Sequence, residues 1–248
     1  MFSIIIPSKN EEKEIRSLLQ SIREQTLQPA QIVVADKSTD KTRDIARSFG
    51  VTVIEGVDDG RVGKARNKGA SYAKGDLLFF IDADIKLPTI TFLEDAITCF
   101  EAMELDLASC YYRPSHKNVM GLLSFGVINL AKKFDSLIKN GFSSGGGFII
   151  IKKAVFEKLG RFNEDFKVSE DLEFMTRGPK LGYHYGVLPL WVDVSSRRFS
   201  DTTPLSLIIT TIGGVGTIAA NVLGITWLRK FRETFEKWYG ETGGDTTK

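Results

Sequence analysis

Two carboxylates one residue apart, Asp82 and Asp84, close an apolar run from Leu77 to Ile81. Positions i and i+2 of an extended chain face the same side, so both acids converge on one point beyond the end of a buried strand. Hard divalent cations take oxygen ligands, and Mg²⁺ typically takes one or two carboxylates with substrate phosphates. Asp82 and Asp84 are thus candidate ligands for Mn²⁺ or Mg²⁺, with an ordinary acidic loop as the plain alternative. Glu11 and Asp36 also follow apolar, β-branched stretches. Each can accept hydrogen bonds from ribose hydroxyls or a base N–H; Asp36 can equally cap a helix, although Asp40 is better placed for that. No Gly-x-x-x-x-Gly-Lys-Ser/Thr loop occurs, so phosphates would be held by the metal and by basic side chains. Arg197 and Arg198 offer guanidinium groups suited to phosphate, the alternative being a basic flank at a membrane surface. Glu170-Asp171 opens a helix, where acids commonly offset the dipole. An acid there, near Gly145, Gly146 and Gly147, can also act as general base toward an acceptor hydroxyl that the glycines let approach. His116 and His184 stand in no metal or triad pattern and are read as structural.

The elements that must hold these groups alternate. Strands are expected at Ser3–Ile6 (closed by Pro7), Ile32–Ala35, Val51–Ile54 and Leu77–Ile81. Between them come helical patterns through Ile15, Leu18, Leu19 and Ile22, through Ile45, Ala46 and Phe49, and from Ala65 to Lys74. Ser8 or Asn10 is the expected cap of the first, and Gly75 the stop of the third. Strand–helix alternation implies right-handed crossovers and a mostly parallel, Rossmann-like sheet whose ligands bind at the carboxyl ends of the strands. Pro7, Asp36 and Asp82 all fall at such ends. Further on, a helix is expected from about Ile90 to Met103 and a strand near Leu107–Tyr112. The mostly apolar stretch Asn118–Leu137 reads equally as a core helix or as an amphipathic helix in a membrane interface. Phe148–Ile151 and Leu188–Val194 read as strands, with a short helix at Lys153–Leu159 and another capped by Ser169.

With Lys+Arg 33 against Asp+Glu 31, the net charge of +2 is too balanced to make nucleic acid the main partner. Cys99 and Cys110 are too few for a disulfide framework and are expected as reduced, buried thiols. The start, Met1-Phe2-Ser3-Ile4-Ile5-Ile6-Pro7, lacks the basic opening and long apolar run of a secretory signal. From Pro204 to Leu228 no charged residue occurs, and Arg229-Lys230 follow at once. That is a candidate membrane helix, with Gly216, Ala220 and Gly224 spaced for close helix contact and a possible homodimer. The expected division is a catalytic domain over 1–203, on the cytoplasmic side of the cell membrane, and a membrane or interfacial helix with a basic tail over 204–248.

The order Pro7-Ser8-Lys9-Asn10-Glu11, Val33-Val34-Ala35-Asp36-Lys37-Ser38-Thr39-Asp40, Ala65-Arg66-Asn67-Lys68-Gly69-Ala70, Asp82-Ala83-Asp84 and Ser169-Glu170-Asp171 resembles family-2 glycosyltransferases of the GT-A fold, over roughly residues 1–200. The resemblance implies nucleotide-sugar contacts from Pro7, Glu11, Asp36, Arg66, Asp82, Arg197 and Arg198. It makes Asp84 the more direct metal ligand, with Asp82 near ribose and metal, and Asp171 the base of an inverting displacement. The acceptor loop would comprise Gly145, Gly146, Gly147 and Glu170. Departures are plain: Ala35 and Lys37 replace the first Asp and the Gly of the common Asp-Asp-Gly-Ser form. Arg197-Arg198-Phe199 looks like a reduced Gln-x-x-Arg-Trp, with Ser195 in place of Gln and Phe199 in place of Trp, which argues against processive polymer synthesis. The expected reaction moves a hexose from a UDP- or GDP-sugar, GDP-mannose being the favoured guess, to a hydroxyl of a lipid-linked (polyprenyl or dolichyl diphosphate) glycan. The alternatives are a polyprenyl-phosphate sugar synthase and a nucleotidyltransferase.

Overall fold

The computed structural model describes residues 1–56, 61–115, 119–142, 146–166, 169–195 and 197. The expected membrane segment Pro204–Leu228, its small-residue stripe, Gly145, Arg198 and His116 lie outside the described residues. Among the described residues no helix is long and apolar enough to cross a membrane.

The first half follows the alternation: β1 (Phe2–Ser8), α1 (Ile15–Arg23), β2 (Gln31–Asp36), α2 (Thr42–Ser48), β3 (Thr52–Glu55), α3 (Val62–Tyr72) and β4 (Leu77–Ile81). The chain then forms β5 (Ile85–Lys86), α4 (Phe92–Ala102), β6 (Leu107–Pro114), α5 (Val119–Ile138), β7 (Phe148–Lys152), α6 (Lys153–Lys158), α7 (Glu170–Lys180) and β8 (Tyr185–Val194). One sheet of order β3-β2-β1-β4-β7-β6-β8-β5 joins them. Its first four strands are parallel, but β7 enters antiparallel between β4 and β6, and β5 antiparallel against β8. The mostly parallel sheet expected from the alternation therefore holds for one half, and the whole is mixed. Single helices also join β5 to β6 and β6 to β7, but β7 returns antiparallel to both of its neighbours.

The central strands are apolar on both faces, as a sheet covered on both sides requires. Ile4 and Ile6, Phe79 and Ile81, and Phe148 and Ile150 point into a core shared with α1, α4 and α5. Ile5, Leu78 and Phe80, and Ile149 and Ile151 point to the other side, against α3, α6 and α7. Phe80 meets Phe156 and Phe162 edge-on or tilted, with ring centroids 5.2 and 5.1 Å away. Burying each such side chain contributes roughly 1.5–3 kcal/mol, which fixes β4 as the rigid stem on which Asp82 stands.

Three local expectations are corrected. Pro7 lies inside β1, which runs on to Ser8; the β4 ladder stops at Ile5, leaving Pro7 paired only toward β2, an edge position where the missing N–H does little harm. Neither Ser8 nor Asn10 caps α1, whose first residue is Ile15. Gly75 is not the stop of α3, which ends at Tyr72 with Ala73 as cap. Its role is close approach: a Cβ there would sit 2.5 Å from the Phe2 carbonyl carbon, and its N–H donates to Ser3 Oγ at 2.9 Å.

Candidate active site

The loops after β1 and β2 are laced together by side-chain-to-backbone bonds. Asn10, in the left-handed region at φ 57°, takes the Thr39 N–H on its Oδ1 at 2.9 Å, and its own N–H donates to Ser38 Oγ at 2.8 Å. The Glu11 N–H donates to Thr42 Oγ1 at 2.8 Å. Asp36 is the buried centre of this lacing: Ser8 Oγ, Ser38 N–H, Ser38 Oγ and Arg43 Nε all donate to its carboxylate. Asp40, expected as the cap, stands one residue before the actual N-cap of α2, Lys41, and accepts from the Thr42 N–H. Asp36 thus sits at the strand end predicted for it, but its side chain is wholly buried and engaged by protein donors. Its evident work is shaping the two loops. Sequence reasoning missed Arg43, the second residue of α2, which reaches back to Asp36 from the first turn of the helix.

At the neighbouring strand end, Asp82 follows β4 and its N–H donates to the Gly147 carbonyl at 2.8 Å. Arg66, on the sheet-facing side of α3 and 2% exposed, bridges two carboxylates. Its Nη2 donates to Asp82 Oδ1 at 2.8 Å and its Nη1 to Glu170 Oε1, while the guanidinium lies over the Phe162 ring at 5.3 Å. Burial opposes the charge on Arg66, yet Asp82, Glu170 and Asp171 together hold its pKa above the ordinary value. For Glu170 the balance goes the other way: burial, with help from Asp171, pushes its carboxyl up to about 7 despite the pull of Arg66. Glu170 is therefore an interior partner of Arg66 and does not face an acceptor; that expectation is corrected. Asn67, next to Arg66, clamps the other side by pairing with the Phe162 N–H and carbonyl.

Asp171 occupies the first turn of α7. Its Oδ1 accepts the Leu172 N–H at 2.7 Å and its Oδ2 accepts the Gly146 N–H. Ser169 adopts a left-handed conformation at φ 62° and makes no side-chain cap, so the helix start expected from it is supplied by Asp171. Gly146 (φ +121°) admits the Tyr112 ring, whose hydroxyl would lie 2.6 Å from an added Cβ, and at Gly147 the intruder would meet Ile85 and Asp82. The glycines serve close packing of the protein against itself, where open room for an acceptor was expected. Behind Tyr112, Lys132 of α5 is fully buried; its Nζ donates to Ser109 Oγ at 2.8 Å and stands 4.4 Å from the Tyr112 ring centroid. Sequence reasoning missed both residues, and the only signal was a lysine inside an otherwise apolar stretch.

Lys132 gives a pH prediction. Burial lowers its pKa from 10.5 to about 8, against the pull of Cys110, Asp135 and Asp171. Between those values the unfolded chain holds a proton that the folded chain has released, so this group makes stability rise with pH across that window, by roughly 3 kcal/mol. Below pH 8 the full penalty applies. The melting-temperature advantage of Lys132→Met over the unsubstituted chain is therefore expected to be larger at pH 7 than at pH 10. Equal advantages at the two pH values in calorimetry would mean that Lys132 titrates as an exposed lysine does.

The chain returns to the acids at its far end. The Ser195 N–H donates to the Asp84 carbonyl at 2.9 Å, Ser195 Oγ to Glu14 Oε1 at 2.8 Å, and Arg197 Nη2 to Glu11 Oε2 at 2.9 Å. Of the predicted site residues, the structure thus links Arg66, Asp82, Gly147 and Glu170 in one network, joins Asp171 to Gly146 beside it, and pairs Glu11 with Arg197 near Asp84. Pro7 and Asp36 stand behind the loop wall. Asp82 and Asp84, partly exposed at the strand end, fit a hard divalent ion of the Mn²⁺ or Mg²⁺ kind. Among the described residues no group of three or more potential ligands gathers, so the protein offers two carboxylates and leaves coordination for a ligand's phosphates and water, as such ions favour. A cavity of about 500 Å³ opens at the opposite pole of the sheet, against Phe2, Phe100 and Leu105, and touches none of these acids.

The model of a family described as "Glycosyl transferase family 2" matches residues 3–160. A 4,4'-diaponeurosporenoate glycosyltransferase of Staphylococcus aureus (strain bovine RF122 / ET3-1) is 38% identical over 137 residues, 53% of this chain and 33% of its own length. The chain spans about a third of the length of the curated relatives it matches. A mannosyltransferase from Pyrobaculum calidifontis, solved with GDP-Man and Mn²⁺, superposes with a TM-score of 0.71 at 22% identity, covering 90% of this chain and 64% of that one. Glucosyl-3-phosphoglycerate synthase from Mycobacterium tuberculosis, solved with Mn²⁺, UDP and glucosyl-3-phosphoglycerate, superposes at 0.61 with 18% identity, covering 89% and 79%. These likenesses establish an α/β, GT-A-like fold with a mixed sheet and flanking helices.

Proposed function

Because the chain belongs to glycosyl transferase family 2, we propose that it moves a sugar, with inversion, from a UDP- or GDP-sugar to a hydroxyl of a lipid-linked acceptor at the cytoplasmic face of a membrane. The observation that carries the reading is the pairing of two carboxylate stations on one rigid network. Asp82 and Asp84 stand in the turn after β4, and Asp171 stands on α7, tied back to that turn through Gly146 and Gly147. Structural neighbours solved with GDP-Man or UDP, and with Mn²⁺, support a nucleotide-sugar donor. The uncharged run Pro204–Leu228 supports a membrane acceptor.

In this reading Asp84, with Asp82, would hold Mn²⁺ or Mg²⁺, which offsets charge growing on the departing nucleoside diphosphate. Arg66 fixes Asp82 at one oxygen, leaving the other for that task. Asp171 takes the acceptor proton as the hydroxyl oxygen attacks the anomeric carbon from the face opposite the leaving group. The Gly146 N–H holds that carboxylate in place before the acceptor arrives. Arg197, 41% exposed, can turn from Glu11 to the diphosphate, a geometry that guanidinium serves well. Mannose is our favoured sugar, in line with the GDP-Man bound by the Pyrobaculum neighbour.

A thermal-shift panel of nucleoside diphosphates with Mn²⁺ tests the donor site. A ligand at a hundredfold excess over its Kd stabilises the fold by about 2.7 kcal/mol, and Asp84→Ala is expected to abolish the metal-dependent part of the shift. An undiminished shift in the variant would sink the metal assignment.

A further inference from the structure

Helix α5 buries polar groups beside apolar ones: Lys132 and Asp135 are both 0% exposed, next to Phe125 at 4%. Asn129 pairs with both the N–H and the carbonyl of Tyr112, and Asp135 Oδ1 accepts the Gly141 N–H. With these polar groups satisfied against β6 and the following turn, the helix turns most of its large apolar residues outward. Leu122, Leu123, Val127, Leu130, Phe134 and Leu137 are all half or more exposed, Leu130 at 70%. At 100° per residue these positions cover an arc of about 140°, along a helix about 30 Å long. Soluble surfaces rarely carry so continuous an apolar patch.

We infer that this face of α5 docks on a phospholipid bilayer, seated at the boundary of headgroups and acyl chains. Three features favour lipid over a protein occupant. The surface is a convex ridge along one helix, shaped to sink into a compliant phase, whereas a protein anchor usually fills a pocket. Its only charged residue among the described exposed positions is Lys133, and Lys139 is exposed just past its end, so the charge suits anionic headgroups. The face is also similar in chemistry to Pro204–Leu228, an uncharged and mostly apolar stretch of the chain.

The inference deepens the proposed function and rests on its membrane acceptor. It adds the orientation of the enzyme. The inward side of α5 holds Lys132 against Tyr112, Tyr112 packs on Gly146, and the Gly146 N–H holds Asp171. The bilayer would therefore lie about one helix diameter, some 10 Å, behind the wall that carries the base. A lipid-borne hydroxyl need rise only a short way from the headgroups to meet Asp171.

The test uses the full chain in a Cys99→Ser background, with an environment-sensitive fluorophore on Leu130→Cys or, as control, on Lys158→Cys at the opposite face of the sheet. Vesicles of phosphatidylcholine, with and without phosphatidylglycerol, carry bromine on the acyl chains. Expected are bromine quenching at position 130, stronger with phosphatidylglycerol, and none at 158. The pair Val127→Glu and Leu130→Glu, labelled at Phe134→Cys, is expected to lose about tenfold or more of that quenching while keeping the Mn²⁺-dependent nucleotide shift. Vesicle-bound protein without quenching at 130 overturns the inference. So does a label at 130 already shielded in vesicle-free solution, which would mean that the chain itself or a second copy covers the face. Quenching without any nucleotide shift would instead overturn the donor site and leave the docking face standing.

Discussion

Asp171→Asn is expected to lower kcat by about 10²–10⁴-fold, the usual worth of a positioned general base, while the KM for the nucleotide sugar stays near its original value. The change is nearly isosteric. The Leu172 and Gly146 N–H groups donate to different carboxylate oxygens, and the amide oxygen keeps only one of them, so a modest loss of stability accompanies the kinetic effect. What disappears is the capacity to take a proton. Single-turnover transfer of labelled sugar, with donor in saturating excess, separates this from a binding defect, because only the chemical step then falls. Turnover near the original rate would remove Asp171 from the mechanism and would favour an acceptor that is already an anion, as in polyprenyl-phosphate sugar synthesis.

Arg66→Met is expected to cost about 3–5 kcal/mol of stability, the range for breaking a buried ion pair by removing one partner. Methionine fills much of the volume beside Phe162 but leaves Asp82 and Glu170 facing each other's charge without the guanidinium between them. Because Glu170 already has its carboxyl raised to about 7 with Arg66 present, it will take up a proton more readily still in the variant. A folded-state pKa raised above the unfolded one gives stability that is lost as pH rises, so the loss is expected to be larger at pH 8 than at pH 6. Adding Glu170→Gln removes the stranded charge and is expected to restore much of the deficit. Urea unfolding of the single and double variants at both pH values decides it. If the double variant is no more stable than the single one, the triad of Asp82, Arg66 and Glu170 does not work as a unit.

The sequence made Asp82 and Asp84 legible because β4 is apolar on both faces and ends abruptly in acid, and because three strand–helix units place that end beside two others. The same local logic could not say what Arg66 holds. Its two partners are sixteen and one hundred and four residues away, and pairing at such range depends on the packing of α3 against α7. Nor could it place β7, whose antiparallel entry depends on how α5 and the turn after it return the chain. Asp36 is legible in position but not in duty: four donors from three separate segments converge on it. The glycines show the same limit. Gly75 and Gly147 look like a stop and an opening when read along the chain, and in space both are points where another segment presses close. Helix α5 reads equally as a core helix or an interface helix because its composition is that of a buried one, and only the fold shows that Lys132 and Asp135 face inward.

The acid pair and the departing chain are fastened to each other. β5 follows directly from Asp84, pairs with β8 through Ile85 and Val194 and through Lys86 and Asp193, and the Asp84 carbonyl holds the Ser195 N–H. Beyond lies the sequence that leads to Pro204. A tensile load on that tail therefore reaches the turn at Asp84 through a ladder of two residue pairs, while the β6 ladder beside it carries eight. The turn at Asp84, the proposed metal station, is thus coupled to the departing chain by the shorter of the two ladders that hold β8.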